Sequence, residues 1–536
     1  MHNSILLSFW AGISFVIYKI VSSIITSRRH AAAARRLGCV DPPPMKQSIF
    51  DPLGIKGVIE VLKADKEHRL LQYFKKRSDL NCDEQGNPIN TLTQHLLGTK
   101  TVFTTDPRNV QAILATQFKD FGLGRVRNAT FAPLLGHGIF SSDGEQWAKA
   151  RALLRPQFAR DQVSNLELEE QHVQHLMRVI PMSSNGWTEV TDLEPLFFRL
   201  TIDSATEFLF GESVDSQLSA LPDYKSSRGT VEQDFATAFD QALNAISIKL
   251  RFGDAPWLVY NKMEKVYNKR CHASIDHYIQ LALSKDKTAR QNSTEKQKYV
   301  FLDALVEANQ DPVELRSHLI SILLAGRDTT ASLLSYVFMS LAQHPEVYEK
   351  LRGVVKDSFG TYSNPKNMTF EALKSCNFLQ WVLNEALRLY PVVPLNSRRA
   401  LRDTTLPTGG GPDGTAPIYI KEDMSVDYHI YTIHRRKDLW GQDADEFRPD
   451  RWDGRKSGWE YLPFNGGARI CIGQQFALTE AAYTVVRLAQ RFEKIESAGN
   501  LWDGSTKGGS DHIKHNLSLT TCPAGGVKLR MKEARE

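Results

Sequence analysis

The run Phe464-Asn465-Gly466-Gly467-Ala468-Arg469-Ile470-Cys471-Ile472-Gly473 constrains this chain more than any other stretch, because it sets one cysteine in a glycine-rich loop with an arginine two residues before it. A soft sulfur ligand offered to a flat, metal-bearing macrocycle requires close backbone approach, which residues without Cβ allow. Gly466, Gly467 and Gly473 supply them. Arg469 is placed to pair with a haem propionate, and backbone amides together with a helix starting near Gly473 favour the deprotonated sulfur, since positive dipole ends lower a thiol pKa. Cys471 is therefore the candidate axial ligand of a haem iron. A lone cysteine is ordinarily a small buried residue, but Phe464, Gly467, Arg469, Cys471 and Gly473 at fixed spacing, followed by the helical run Gln474 to Glu480, argue against that role here. A zinc centre needs about four clustered ligands, and no Cys-x-x-Cys or His-x-x-x-His pair lies nearby.

The chain has 536 residues, 42% hydrophobic and 24% charged, enough to bury a sizeable core. Length alone suggests several domains, yet the motifs run from Trp147 to Cys471 without a linker-like break. One large catalytic domain follows. A net charge of +5 is too small to argue for nucleic acid. The six cysteines, at 39, 82, 271, 376, 471 and 522, have no framework spacing and read as reduced thiols facing a cytosolic compartment.

From Ile5 to Ile25 the chain is apolar apart from scattered Ser, Tyr18 and Lys19, about the 20 residues that cross a bilayer as a helix. Lys19 would cost about 2.5 to 3.5 kcal/mol at the centre of a span, but it lies toward one end, from which its stem can reach the interface. Arg28, Arg29, Arg35 and Arg36 follow and hold the C-terminal side in the cytosol. A cleaved signal peptide is the rival reading, encouraged by Ala31 to Ala34 but lacking a basic start. The division is an N-terminal membrane anchor (1–27), a basic and proline-rich linker (28–46) stiffened by Pro42-Pro43-Pro44, and a catalytic domain (47–536). The sequons at Asn128, Asn292, Asn367 and Asn516 carry no weight in a cytosolic domain.

Helical periodicity covers 145–160, 192–212, 232–250, 312–343 and 376–390, against short strand-like runs at Thr101–Thr105 and Pro417–Lys421. The expected class is mainly α with small β-sheets, α+β. Segments 284–298 and 503–510 read as surface loops, and 409–414 as a turn between strands. Pro312 opens an apolar stretch reaching Gln343, about 48 Å of helix. Its middle, Ala325-Gly326-Arg327-Asp328-Thr329-Thr330, is locally weak, and a threonine hydroxyl bonding to the preceding turn can open the ladder. Thr329 is placed to hold dioxygen and a protonating water, and Asp328 to pass protons inward. Glu385 and Arg388 share a helix face, and Trp147 and Arg151 stand one turn apart; neither pair is informative alone.

In this order the motifs resemble those of the cytochrome P-450 superfamily, membrane-anchored eukaryotic type. The stretch Leu324 to Ala331, the Asp403 to Gly414 hairpin and Cys471 to Glu480 look most like fungal alkane and fatty-acid hydroxylases. The resemblance implies the P-450 fold behind a single N-terminal transmembrane helix. It also implies haem b with Cys471 as axial thiolate, and catalytic roles for Asp328 and Thr329. Trp147, Arg151, Arg398, Phe464, Arg469 and Gly473 would contact the cofactor, with Arg399 the alternative to Arg398. Arg451, in Phe447-Arg448-Pro449-Asp450-Arg451-Trp452, would complete a structural Glu385–Arg388–Arg451 network, although Asp450 and Trp452 stand where the family often has Glu and Phe. The implied activity is a monooxygenase of the EC 1.14 class that oxidises an apolar small molecule with dioxygen and electrons from an NADPH cytochrome P-450 reductase. Terminal hydroxylation of alkanes or fatty acids at the endoplasmic reticulum membrane is the first substrate reading. A tailoring oxidase of fungal secondary metabolism, acting on a polyketide, terpenoid or lipid-tailed intermediate, is the second. A hydroperoxide isomerase or a haem sensor would need no reductase, so NADPH-dependent turnover separates them from a monooxygenase. Phe121, Phe131, Phe140, Val393 and Leu395, with segment 200–260, are the expected pocket walls.

Deleting residues 1–27 removes the only convincing span, so the truncated protein is expected to shift from membrane pellet to supernatant on fractionation. Retention as complete as that of the full chain would rule out a single anchor.

Overall fold

The computed structural model describes residues 2–46, 50–83, 86, 88–158, 166–221, 224, 231–284, 300–498 and 512–535. The long helix Pro312–Gln343 runs through the interior with the bounds its periodicity predicts. Asp311 caps it by accepting from the Val313 N–H, and Pro312 opens its first turn, where a missing N–H costs nothing. Leu315, Leu319, Leu323, Leu334, Val337 and Leu341 are fully buried.

Seven serines and threonines sit in the same helix, and a buried hydroxyl without a partner is costly. Six of them donate to the carbonyl four residues back: Ser317, Ser321, Thr329, Ser332, Ser335 and Ser340, at 2.6–2.8 Å. The backbone stays α-helical throughout, so the expected local opening around Gly326–Thr330 does not interrupt the helix. The Thr329 hydroxyl adds a bond to the Ala325 carbonyl within an otherwise regular turn.

Helices Leu193–Phe210, Glu264–Ser284 and Gln474–Arg491 pack on this central helix, and Val231–Leu250 packs on Glu264–Ser284. A five-stranded sheet stands at one side, in the order 91–96, 99–104, 425–429, 395–400, 121–122. Only the pairing of 99–104 with 425–429 is parallel. The predicted turn at 409–414 joins the hairpin strands Thr404–Gly410 and Ala416–Ile420. Asn377–Leu389 matches the 376–390 expectation, whereas the helix predicted over 145–160 ends at Leu154 and tightens into a 3₁₀ turn, Arg155–Phe158. Residues 285–298 and 503–510, the two expected loops, lie outside the described residues.

Phe121 is a strand residue packed in the sheet core, 2% exposed, and not a pocket wall. A two-residue strand offers too little alternation for its face to be read from sequence.

The N-terminal helix spans His2–Arg36, and Trp10–Arg36 is long and apolar enough to cross a membrane, with its most apolar window free of contacts that bury it. The helix therefore continues through the arginine-rich segment. His30 then meets Asp403 at 3.5 Å, Val40 N–H donates to the Pro417 carbonyl, and Pro43 and Met45 pair with Thr93. These bonds tie the proline stretch to the edge of the sheet and to the hairpin.

Candidate active site

Cys471 lies where the loop after Leu462 turns into helix Gln474–Arg491, and its N–H donates to the Phe464 carbonyl at 3.0 Å, closing the loop. The residue faces an internal cavity of 920 Å³ that is also lined by Trp147, Arg151, Thr329, Arg398, Phe464, Arg469 and Gly473. The glycines serve different ends. A Cβ on Gly466 would lie 2.7 Å from Trp459, and one on Gly467 would strike the Leu114 carbonyl, so packing within the protein demands both. At Gly473 a Cβ would meet only Phe158, at 3.7 Å, which leaves room in front of it.

Burial pushes the Cys471 thiol above its ordinary pKa, while the Gly473 N–H and the Arg151 guanidinium pull it down. Desolvation outweighs the dipoles that the sequence suggested would keep the sulfur ionised. A metal binding there would displace the proton itself.

Three buried guanidinium groups converge beside the loop. Arg469 donates to Asp143 at 2.7 Å and to the Ser142 carbonyl at 3.0 Å, and lies over the Trp147 ring at 4.5 Å. Arg398 bonds to the neutral Asn396 side chain at 2.9 Å and the Ser397 carbonyl at 2.7 Å. Arg127, which the sequence reading missed, shares the Asn396 oxygen at 3.0 Å. The Nε atoms of Arg127 and Arg469 are buried and have no partner. Burial, aggravated by neighbouring arginines, pulls both groups down to about 10.

Three cations thus face one carboxylate, Asp143, whose oxygens also accept from the Leu123 and Gly124 amides. The two uncompensated charges and the orphaned Nε atoms fit a ligand carrying two carboxylates, as haem does with its propionates. Arg399, the alternative to Arg398, is already committed to Asp254 and to the Asp423 carbonyl. Arg151 reaches the Ile470 carbonyl at 3.0 Å and lies over Trp147 at 5.8 Å.

Asp328 and Thr329 are neighbours in sequence but not in the site. Thr329 lines the Cys471 cavity, whereas Asp328 faces a second cavity together with Arg327 and Asp240. Arg327 pairs with Asp240 at 2.5 Å and with Asp328 at 3.3 Å. Burial raises the Asp328 carboxyl to about 6 against the pull of Arg327. Of the expected pocket walls, Phe131, Phe140, Val393 and Leu395 line the Cys471 cavity; Ala205, Phe208 and Leu209 do so from helix Leu193–Phe210.

Behind the loop, Glu385 is fully buried and accepts from Arg388 (2.8 and 2.9 Å), Arg451 (2.7 Å), the Arg448 amide (3.0 Å) and the Trp452 indole (3.0 Å). The family departure at Trp452 therefore adds a donor. Asp450 points elsewhere, to Lys350 at 2.6 Å. His434, also missed, links this network to the loop: its Nε2 accepts from the Leu462 amide at 2.8 Å, so its Nδ1 carries the proton and donates to the Arg388 carbonyl at 3.0 Å. Burial and the adjacent arginines keep the ring neutral, at about 3. No spacing signal could have shown either contact.

The family model described as Cytochrome P450 matches residues 71–505. "Cytochrome P450 monooxygenase g430" from Fusarium sp is 51% identical over 97% of this chain and 89% of its own length. "Cytochrome P450 52A12" from Debaryomyces hansenii is 44% identical over 86% of this chain and 88% of its own length. The solved cytochrome P450DA heme domain superposes with a TM-score of 0.69 over 93% of this chain and 98% of that one, at 21% identity, which speaks for the fold. The family binds haem through a cysteine thiolate, and the cavity holds the cysteine and the surplus cations that such a cofactor requires. This chain belongs to the cytochrome P450 family and is a haem-dependent monooxygenase.

Proposed function

We propose that this P450 hydroxylates an alkyl chain at or near its methyl end, with an alkane or fatty acid as substrate and an NADPH-dependent cytochrome P450 reductase as electron donor. One observation carries the reading: a cavity walled by Phe131, Phe140, Leu209, Val393 and Leu395 leads from Cys471 and Thr329 to surface residues Lys56 and Leu80. The sequence resemblance to fungal alkane and fatty-acid hydroxylases agrees with it. A terminal C–H bond is stronger than its neighbour, so selectivity requires walls that let only the last carbon reach the reacting centre. Trp257, Leu258 and Tyr260 are exposed on the segment after the cavity-lining Leu250, Arg251, Gly253 and Asp254, and Ile55 and Ile59 are exposed on helix Ile55–Lys66, whose Asp65 pairs with Arg251. Such apolar surface suits a domain (47–536) held at the endoplasmic reticulum membrane by a single N-terminal helix, its catalytic side cytosolic.

The bound haem supplies activation of dioxygen for insertion into an unactivated C–H bond. Cys471 would hold the iron. Arg127, Arg398 and Arg469 would neutralise the propionates, with Trp147, Arg151, Phe464 and Gly473 shaping the surround. Thr329 would order water in the cavity through its hydroxyl, which already donates to Ala325 and has lone pairs free to accept. Asp328, half-protonated near pH 6 and adjoining the second cavity, would relay protons, and Arg327 and Asp240 connect it to the surface, where Asp240 is 55% exposed.

A second reading keeps the same chemistry on an oxygen-bearing intermediate of fungal secondary metabolism. Gln94, Thr101, Ser425 and Asp427 form a polar strip of the cavity wall, which an alkane would leave unused.

Mass spectrometry of products from reconstituted enzyme separates the two. A terminal or near-terminal alcohol from a long-chain acid or alkane is expected; scattered mid-chain alcohols, or idle chains beside brisk oxidation of a polyketide or terpenoid, would favour the second. Cys471→Ser is expected to abolish the strongly red-shifted Soret band of the reduced carbon monoxide complex, and persistence of that band would remove Cys471 as the ligand. Thr329→Ala is expected to cut product formed per NADPH by about ten-fold or more while peroxide rises and haem content holds. Unchanged coupling would exclude Thr329 from proton delivery.

A further inference from the structure

The cavity that contains Cys471 has a cation at its mouth with no counter-charge. Arg77, on the helix Leu70–Asp79, lines this cavity together with Lys46, Lys56, Glu60 and Leu80. Lys56 and Leu80 are surface residues, 67% exposed in the side chain and 57% exposed respectively, so this end opens outward, whereas Cys471 and Thr329 lie at the inner end.

The other charges at the mouth are engaged. Lys46 donates to the Leu80 carbonyl at 2.8 Å. Asp51 accepts from the amides of Ile55 and Gly57. Glu60 accepts from the Tyr73 hydroxyl at 3.0 Å and lies 3.9 Å from Lys56. Arg251 pairs with Asp65, Arg399 with Asp254, and Asp427 accepts from Ser425. Among the described residues no carboxylate lies within ion-pair distance of Arg77, whose guanidinium rests 5.8 Å over the Tyr73 ring.

A second group points the same way. His429 lines the cavity, is 7% exposed, and its Nδ1 has no partner. The ring is held in place by edge contacts with Phe74 and Phe103 at 4.7 and 4.6 Å, and it feels the charge of Arg77. Its strand partner Leu395 also lines the cavity, so His429 stands between the charged mouth and the apolar interior. A neutral imidazole can donate one hydrogen bond, and a guanidinium offers paired N–H groups matched to a carboxylate.

We propose that Arg77, assisted by His429, binds the carboxylate of a fatty-acid substrate and so directs its methyl end toward Cys471. The proposal rests on the chain-end reading above and narrows it to acids over alkanes.

The test compares a long-chain fatty acid with its methyl ester, the two differing only in the charged group. Binding is followed by the haem spectral shift, and KM by turnover of the reductase-reconstituted, full-length enzyme. Arg77→Ala should weaken binding and raise KM for the acid about ten- to hundred-fold more than for the ester, with kcat for the acid little changed. Arg77→Lys should restore part of the difference, since it keeps the charge and loses the fork. A mid-chain shift of the hydroxylation site with the acid in Arg77→Ala would add support. Equal effects on acid and ester, or none on the acid, would overturn the anchor. If the wild type prefers the acid to the ester in binding but oxidises it away from the chain end, the anchor survives and the regiochemical reading fails. If the wild type shows no preference for the acid, the anchor fails whatever the product.

Discussion

A carboxylate without water must be surrounded by donors or it will not stay ionised, and Glu385 is the point at which this protein meets that demand. Both of its oxygens are used, by two guanidinium groups, an indole and an amide. The donors come from segments far apart in sequence, so satisfying one carboxylate fixes the mutual position of helix Asn377–Leu389 and the stretch 448–452. Arg388 extends the effect, because its guanidinium also donates to the carbonyls of His434, Ala444 and Glu446. Arg451 adds the Trp440 and Asp443 carbonyls. Through His434 the chain of bonds arrives at Leu462, two residues before the loop that carries Cys471. Breaking a pair of this kind by removing one partner costs about 3–5 kcal/mol, and here the disturbance would travel directly to the cysteine.

The opposite arrangement holds around Trp147. There the cations outnumber the acids, and burial lowers Arg127 and Arg469 because nothing within the protein compensates them fully. One network is closed and serves the fold; the other is incomplete until a dianionic cofactor enters. Cofactor binding is thereby coupled to the stability of the surrounding elements, since a ligand that binds only the folded chain stabilises it by mass action.

Much of this was legible in the sequence where the signal was local. The apolar period and the proline start gave the bounds of Pro312–Gln343, and the glycine-cysteine spacing located the loop. The Glu385, Arg388 and Arg451 set was reachable because each lies in a short recognisable run. What escaped depends on pairings between distant segments: Arg127 with Asn396, 269 residues apart, or Leu462 with His434, 28 apart. Phe121 was misassigned because its strand is too short to show alternation. That Asp328 and Thr329 open to different spaces was not visible either, because it follows from helix geometry, in which successive side chains diverge by about 100°, together with the packing around each.

That divergence turns the central helix into a partition. Thr329 belongs to the compartment that receives the organic molecule, and Asp328 to one that communicates with solvent through Arg327 and Asp240. On the roles proposed above, a lipid tail filling the first compartment would expel its water while the second stays wet, and protons and substrate would arrive through different spaces, so that a substitution reshaping the wall beside Phe131 and Phe140 would leave the Arg327–Asp240 side of the helix in place.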